Sequence, residues 1–466
     1  NGDIIVMNRL SLFIVLSALF LFNNNLISQQ AEQKSVAVTV YNANLGVVKE
    51  LRAIDIKSGK SQIAVTDVAQ FIDPTSVHIK LNGEVIEQNY QYDLVSLDKI
   101  LQKYIDKNIQ LIGENEELIE GKLLSAFAGQ IVLEKKEGGL LMLPNLAKYR
   151  FSVGALPEGL ITKPTLLWTV NSSNTGKQDV EISYQTSGMN WHAEYVAVLN
   201  EDDTELDLNS WVSVENKSGT TYKNATLKLV AGDINLVKNQ QMYDYERPEM
   251  MLKSEGMSQP QFQEKEFFEY HIYNLQRPTT LSNNETKQIS LFESPGVKAV
   301  KKYFYKNGRY GYYGNASQTG KVSVVVEFEN KEENNMGVPM PKGKVRMYKS
   351  DGNTLEFVGE DLIDHTPRNE EVRLKIGEAF DIVVEDVQTE NKKITNKVWE
   401  QAYEVKFKNR KKEDITVEVE RFLGVNWEIL NSSLDYEKKD AQNILFKVPV
   451  PENGETVLKY KVRYRY

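Results

Sequence analysis

Ile54-Asp-Ile56-Lys-Ser58-Gly59-Lys60-Ser-Gln-Ile63-Ala-Val65 reads as two strands around a tight turn. Ile54 and Ile56 precede Ser58-Gly59-Lys60, and Ile63 and Val65 follow it. Successive strand residues point to opposite faces, so this alternation gives one buried face, and a Gly-bearing turn closes the pair. The pattern recurs at Val36, Val38 and Val40, and at Val77, Ile79 and Leu81 before Asn82-Gly83. Asn-Gly is a hairpin signal because both residues tolerate positive φ. Residues 34–95 are therefore expected to form a small N-terminal β domain.

Ser96 is placed to cap a short helix through about Tyr104, with Leu97, Ile100, Leu101 and Tyr104 on one face. Five short β runs follow, punctuated by Gly113-Glu114, Glu120-Gly121, Ala128-Gly129 and Gly138-Gly139. The natural packing for them is a small SH3-like barrel, so helix and barrel together span 96–156. Leu156-Pro157-Glu158-Gly159 reads as a linker. Beyond it, Trp168-Thr-Val170, Asp179-Val180, Ile182, Tyr184 and Asn190-Trp191 register with Tyr403-Glu-Val405, Asp414-Ile415, Val417, Val419 and Asn426-Trp427. Val212-Ser-Val214-Glu-Asn216 and Val326-Glu-Phe328-Glu-Asn330 repeat a strand that ends on Asn. Such strands at such spacing suggest immunoglobulin-like β-sandwiches, a first part over 160–300 and a second over 301–466. Residues 239–266, with Met242, Tyr243, Tyr245, Met250 and Met251 and no sustained period, read as a long mobile insertion. The expected fold class is mainly β throughout.

The 466 residues include no Cys and carry a net charge of -9. A disulfide scaffold and a Cys-ligated zinc protein are excluded, and acidity argues against nucleic acid, which demands basic patches. Leu10 to Phe22 is free of charge and follows Arg9. Spanning a bilayer takes roughly 20 apolar residues. This run is shorter, and residues 7–28 read as a cleavable signal peptide cut before Gln29 or Gln30, with 1–6 as upstream translation. A retained N-terminal anchor is the alternative. The mature chain is expected to carry no transmembrane segment and to be periplasmic or cell-surface.

The histidines are His78, His192, His271 and His365. On a strand, Glu269, His271 and Tyr273 would share a face, and a carboxylate beside an imidazole orients it for proton transfer or metal binding. A cross-strand polar pair is the plainer reading. Asp364 and His365 are adjacent, so on a regular strand they point apart, and Thr366-Pro367 reads as a turn. No metalloprotease, nucleophile-elbow, phosphate-loop or calcium-loop motif is present, and no cofactor is expected. Glu201-Asp202-Asp203 reads as a solvated hairpin tip. The C-terminal alternation of Tyr460, Val462, Tyr464 and Tyr466 resembles the last strand of an outer-membrane barrel, but Lys461, Arg463 and Arg465 suit a solvated sandwich face. The most distinctive composition is Tyr303-Phe-Tyr305-Lys-Asn-Gly308-Arg309-Tyr310-Gly-Tyr312-Tyr313. Tyrosines on a Gly-rich loop give rigid contact surface at small entropic cost, so Tyr305, Tyr310, Tyr312 and Tyr313 are the candidate binding surface.

Gly188-Met-Asn-Trp191-His-Ala-Glu-Tyr195, Trp211-Val-Ser-Val-Glu-Asn216-Lys-Ser-Gly219 and Tyr222-Lys-Asn224-Ala-Thr-Leu227 together resemble the mucoidy-inhibitor-A-like bacterial proteins that carry the domain of unknown function numbered 4139. The resemblance spans about 160–466, and the long coiled coil of some relatives is missing. It implies export and β-sandwich structure, and no residue roles. The resulting expectation is an exported envelope protein that binds a glycan or a protein partner. The alternative is a hydrolase or metal-dependent enzyme using His271 with Glu269, or His365 with Asp364.

Overall fold

The computed structural model describes residues 31–232, 261–267, 270–307, 318–352 and 354–465. The signal at 7–28 and the tyrosines Tyr310, Tyr312 and Tyr313 lie outside the described residues, as does most of the insertion at 239–266. The last residues of that insertion form the strand Phe262–Phe267, paired with Tyr270–Leu275. The architecture is mainly β, as the alternation predicted, with several sheets and, among the described residues, no closed barrel. No helix among the described residues is long and apolar enough to cross a membrane.

Two compact units divide the chain. The first takes in Ala53–Val68 and Asn82–Gln178. In it, Thr165–Ser172 lies between Gly59–Val65 and Glu84–Gln91, burying Leu166, Trp168 and Val170. The opening stretch thus supplies a strand that pairs Val65 with Leu166. Helix Leu97–Lys103 starts where Ser96 accepts the Lys99 N–H. It buries Leu101 against Ile109, Leu111, Leu123, Ile131 and Leu133, while Leu97 stays exposed. The expected SH3-like barrel does not close. The three-residue strand Arg150–Ser152 crosses to pair with Asn108–Ile112, leaving Leu140–Leu143 at the opposite edge of a five-stranded sheet.

The second unit comprises Gln33–Arg52, Ala69–Leu81 and Asp179–Tyr466. Glu32–Tyr41 runs parallel to Tyr222–Ala231, matching Val38 to Leu227 and Val40 to Leu229. These two strands belong to an eight-stranded sheet, and a 13-stranded sheet forms the remainder. The expected boundary near residue 300 falls inside a single strand, Glu285–Asn307. Its first part pairs with Glu205–Asn216, and its last part with Gln318–Glu329 and Ile415–Phe422. Gly343–Asp351 also returns to pair with Met189–Leu199. Asp203, expected at a solvated tip, is held by Lys301 and Lys349, and their charges keep its carboxyl below its usual range against the opposing effect of burial.

The strand-then-Asn repeat has one structural meaning. Asn216, Asn330 and Asn409 are buried, and each carboxamide ties a strand end to neighbouring loops. Asn409 Nδ2 donates to the carbonyls of Glu413 and Pro451 at 2.8 and 3.0 Å, while its Oδ1 accepts the Lys411 N–H at 2.9 Å. Asn216 donates to Thr220 and Leu281 and accepts from Ser218. Buried polar groups left without partners cost about 1–3 kcal/mol each. Asn409→Leu is expected to destabilise the chain by at least that amount in urea unfolding, whereas an exposed control such as Asn396→Leu is expected to leave the midpoint unchanged.

An aromatic mouth as candidate functional site

The C-terminal part of the large sheet rolls around one core. In order, its strands are Tyr436–Lys438, Asn443–Val450, Ile415–Phe422, Glu285–Asn307, Gln318–Glu329, Glu371–Thr395, Val398–Asn409, Glu455–Arg465 and Trp427–Ser432. Val405, Phe407, Val417, Phe446 and Leu458 fill the interior. The two end strands meet through Trp427 and Tyr436, whose ring centroids are 6.5 Å apart. Trp427 Nε1 also donates to the Ala441 carbonyl at 2.8 Å.

Cross-strand register places three aromatic residues in one row. Trp399 lies opposite Tyr464, and Tyr464 lies opposite Trp427. Directly opposed residues share a face, and strands are spaced about 4.8 Å, so the two indoles stand roughly 10 Å apart with Tyr464 between them. One step inward, Val462 is buried, and beyond it Tyr403 stacks on Tyr460 at 5.1 Å. The row is therefore the rim of the core face. Tyr464 is buried and both indoles are half-buried. Lys393 Nζ lies 5.9 Å from the Trp399 ring and Lys438 Nζ 5.2 Å from Trp427, within cation–π range. Phe422, Val425 and Tyr436 are exposed at the same end.

Beneath the rim sits a buried cation. Arg421, with 6% of its side chain exposed, pairs with Asp386 at 2.7 Å. Its guanidinium also lies 5.6 to 5.9 Å from the rings of Tyr460, Tyr305 and Tyr403. Burial disfavours the cation, but Tyr460 and Asp386 outweigh it and hold Arg421 charged. Tyr305, expected on a binding surface, belongs to this core: it is 4% exposed and donates to Asp386 Oδ2 at 2.9 Å. The ladder between Tyr303 and Val417 turns Tyr303 and Tyr305 inward, and Phe304 takes the outer face under Arg373, 4.1 Å away.

The polar cluster expected around His271 is arranged differently. Glu269 lies outside the described residues. His271 Nδ1 is 2.8 Å from Glu264 Oε1, across the hairpin, and Arg368 binds the other Glu264 oxygen at 3.2 Å. Tyr273 is buried, edge-on to Trp191 at 6.2 Å, and donates to the Pro339 carbonyl at 3.0 Å. His365 Nδ1 accepts the Lys342 N–H at 3.1 Å, so its ring proton sits on Nε2. Asp364 is 93% exposed and faces Lys342 Nζ. His365 and Asp364 thus make separate contacts with Lys342. Among the described residues, no group of three His, Asp or Glu side chains is placed to hold a metal ion.

The fold and site define a mainly β, multi-sheet chain with an aromatic mouth at one end of its C-terminal core. Residues 180–466 match the Domain of unknown function (DUF4139), and the chain belongs to that family. The mouth lies wholly inside the matched region. No curated protein matches the chain.

Proposed function

We propose that the chain is an exported, non-enzymatic module of the bacterial envelope that binds a glycan at the aromatic mouth. The sequence-level likeness to the mucoidy-inhibitor-A-like proteins, and the signal read at 7–28, are part of this proposal. The observation that carries it is the Trp399–Tyr464–Trp427 row. Half-buried indoles on a rigid sheet offer flat apolar faces fixed in advance, which lowers the ordering cost of binding. A sugar ring presents an apolar C–H face to such a surface and keeps its hydroxyls in water. Asn307 lies opposite Arg421 and Gln318 opposite Asp386, so the strands that lead in sequence to Tyr310, Tyr312 and Tyr313 are anchored beside the Arg421 site. Those tyrosines are part of the proposed surface. Calorimetric titration with a polysaccharide panel tests the reading: Trp399→Ala and the Tyr310, Tyr312, Tyr313 triple Ala variant are expected to weaken binding at unchanged melting temperature. A protein partner instead of a glycan would leave every polysaccharide titration flat.

One observation favours a second reading, a hydrolase: the 2.8 Å His271–Glu264 contact fixes the imidazole as a base would be fixed. It expects turnover of activated esters or glycosides that His271→Ala and Glu264→Gln abolish without unfolding. Silence of the wild-type protein in such a screen would remove it.

A further inference from the structure

The aromatic mouth is flanked by lysines without carboxylate partners. Lys393 stands over Trp399 and Lys438 over Trp427. Lys397 lies in the turn between the paired strands Glu371–Thr395 and Val398–Asn409, whereas Lys392, opposite Glu400, points to the other face of the hairpin. Among the described residues, none of these lysines is ion-paired, while nearby Lys439, Lys461, Arg463 and Arg465 each pair with a glutamate. The local glutamates Glu390, Glu400, Glu428 and Glu437 are taken up by those four cations, and Asp440 accepts the backbone N–H groups of Gln442 and Asn443. A local surplus of positive charge therefore sits on a chain whose net charge is -9.

Resting on the glycan reading above, we propose that the mouth selects acidic polysaccharide, built of uronic acid units, over its neutral counterpart. The lysine head and a sugar ring compete for the same indole face. A neutral sugar that stacks on Trp399 or Trp427 displaces the ammonium and forfeits its cation–π contact. A uronate displaces it too, then takes it back as the partner of its carboxylate. The covering lysines penalise the uncharged ligand and reward the charged one, so they set specificity by both repulsive and attractive means. Discrimination should fade as salt screens the ion pair over about a Debye length.

The test uses polygalacturonate and its fully methyl-esterified form, which share one backbone and differ in charge. Titration of the full chain should show the acid form binding about tenfold tighter at low salt, with the gap closing as salt rises. Lys393→Gln with Lys438→Gln should weaken the acid form and strengthen the ester, since the indoles are then uncovered. Equal binding of the two forms, or lysine variants without effect on either, overturns the charge selection and leaves the stacking surface standing. Failure of both forms to bind overturns the stacking surface and this inference together.

Discussion

Replacing Arg421 by Met is expected to lower the stability of the chain by about 3–5 kcal/mol, the usual cost of stranding one partner of a buried ion pair. A domain holds about 5–15 kcal/mol in total, so this is a large fraction of the reserve. The reason is the position of Asp386. It is as buried as Arg421, and its Oδ2 lies 2.7 Å from Arg421 Nη2 and accepts from the Tyr305 hydroxyl. Without the guanidinium its charge faces the low-dielectric core of Val405, Phe407 and Leu458. The double variant Arg421→Met with Asp386→Leu should recover most of the loss, because a buried pair replaced by hydrophobic side chains of similar volume is often neutral. Urea midpoints of the two single variants and the double variant settle the matter. If the single variants lose less than about 1 kcal/mol, the pair does not hold this core together. The effect should also reach the mouth. Tyr403 and Tyr460, which Arg421 faces, lie on the strands that carry Trp399 and Tyr464.

The second large effect is on binding. Trp399→Ala should weaken polysaccharide binding by roughly 30-fold, the scale of a Trp hot spot worth about 2 kcal/mol. Trp399 and Trp427 are not equivalent. Trp427 packs against the core and bonds the Ala441 carbonyl, so its truncation should lower stability as well. Trp399 is held only at the rim, and its loss should leave the melting temperature close to wild type. Trp399→Phe should retain part of the affinity, because an aromatic face remains. A Trp399→Ala variant that binds normally would mean that the row is only the end of the core.

The strand character of this chain was legible because it is local. Alternation at Val36, Val38 and Val40 needs no knowledge of distant residues, and the buried ends at Asn216 and Asn330 were visible as a repeated strand-Asn unit. The mouth was not legible. Trp399, Trp427 and Tyr464 come from three strands, and only their ladder register makes them neighbours. Asn190-Trp191 and Asn426-Trp427 look alike in sequence, yet Trp191 is a core residue bonded to Val230 and Trp427 stands at the rim. Tyr305 misled for a related reason. Its tyrosine-rich surroundings suggested a surface, while its alternation with Tyr303 already favoured one buried face. His271 was read with a neighbour on its own strand, and its carboxylate comes from across the hairpin at Glu264. Partners across a ladder are the part of a β protein that composition and spacing leave open.

The most direct test of the aromatic mouth is a titration followed by the indole N–H signals of the Trp residues in a nitrogen-labelled protein. Trp168 and Trp191 are buried and serve as internal controls. On addition of polygalacturonate, the signals of Trp399 and Trp427 are expected to move together and saturate, while those of Trp168 and Trp191 stay fixed. Signals of Trp399 and Trp427 that remain in place while the protein binds the polysaccharide would contradict the assignment of the mouth as its binding surface.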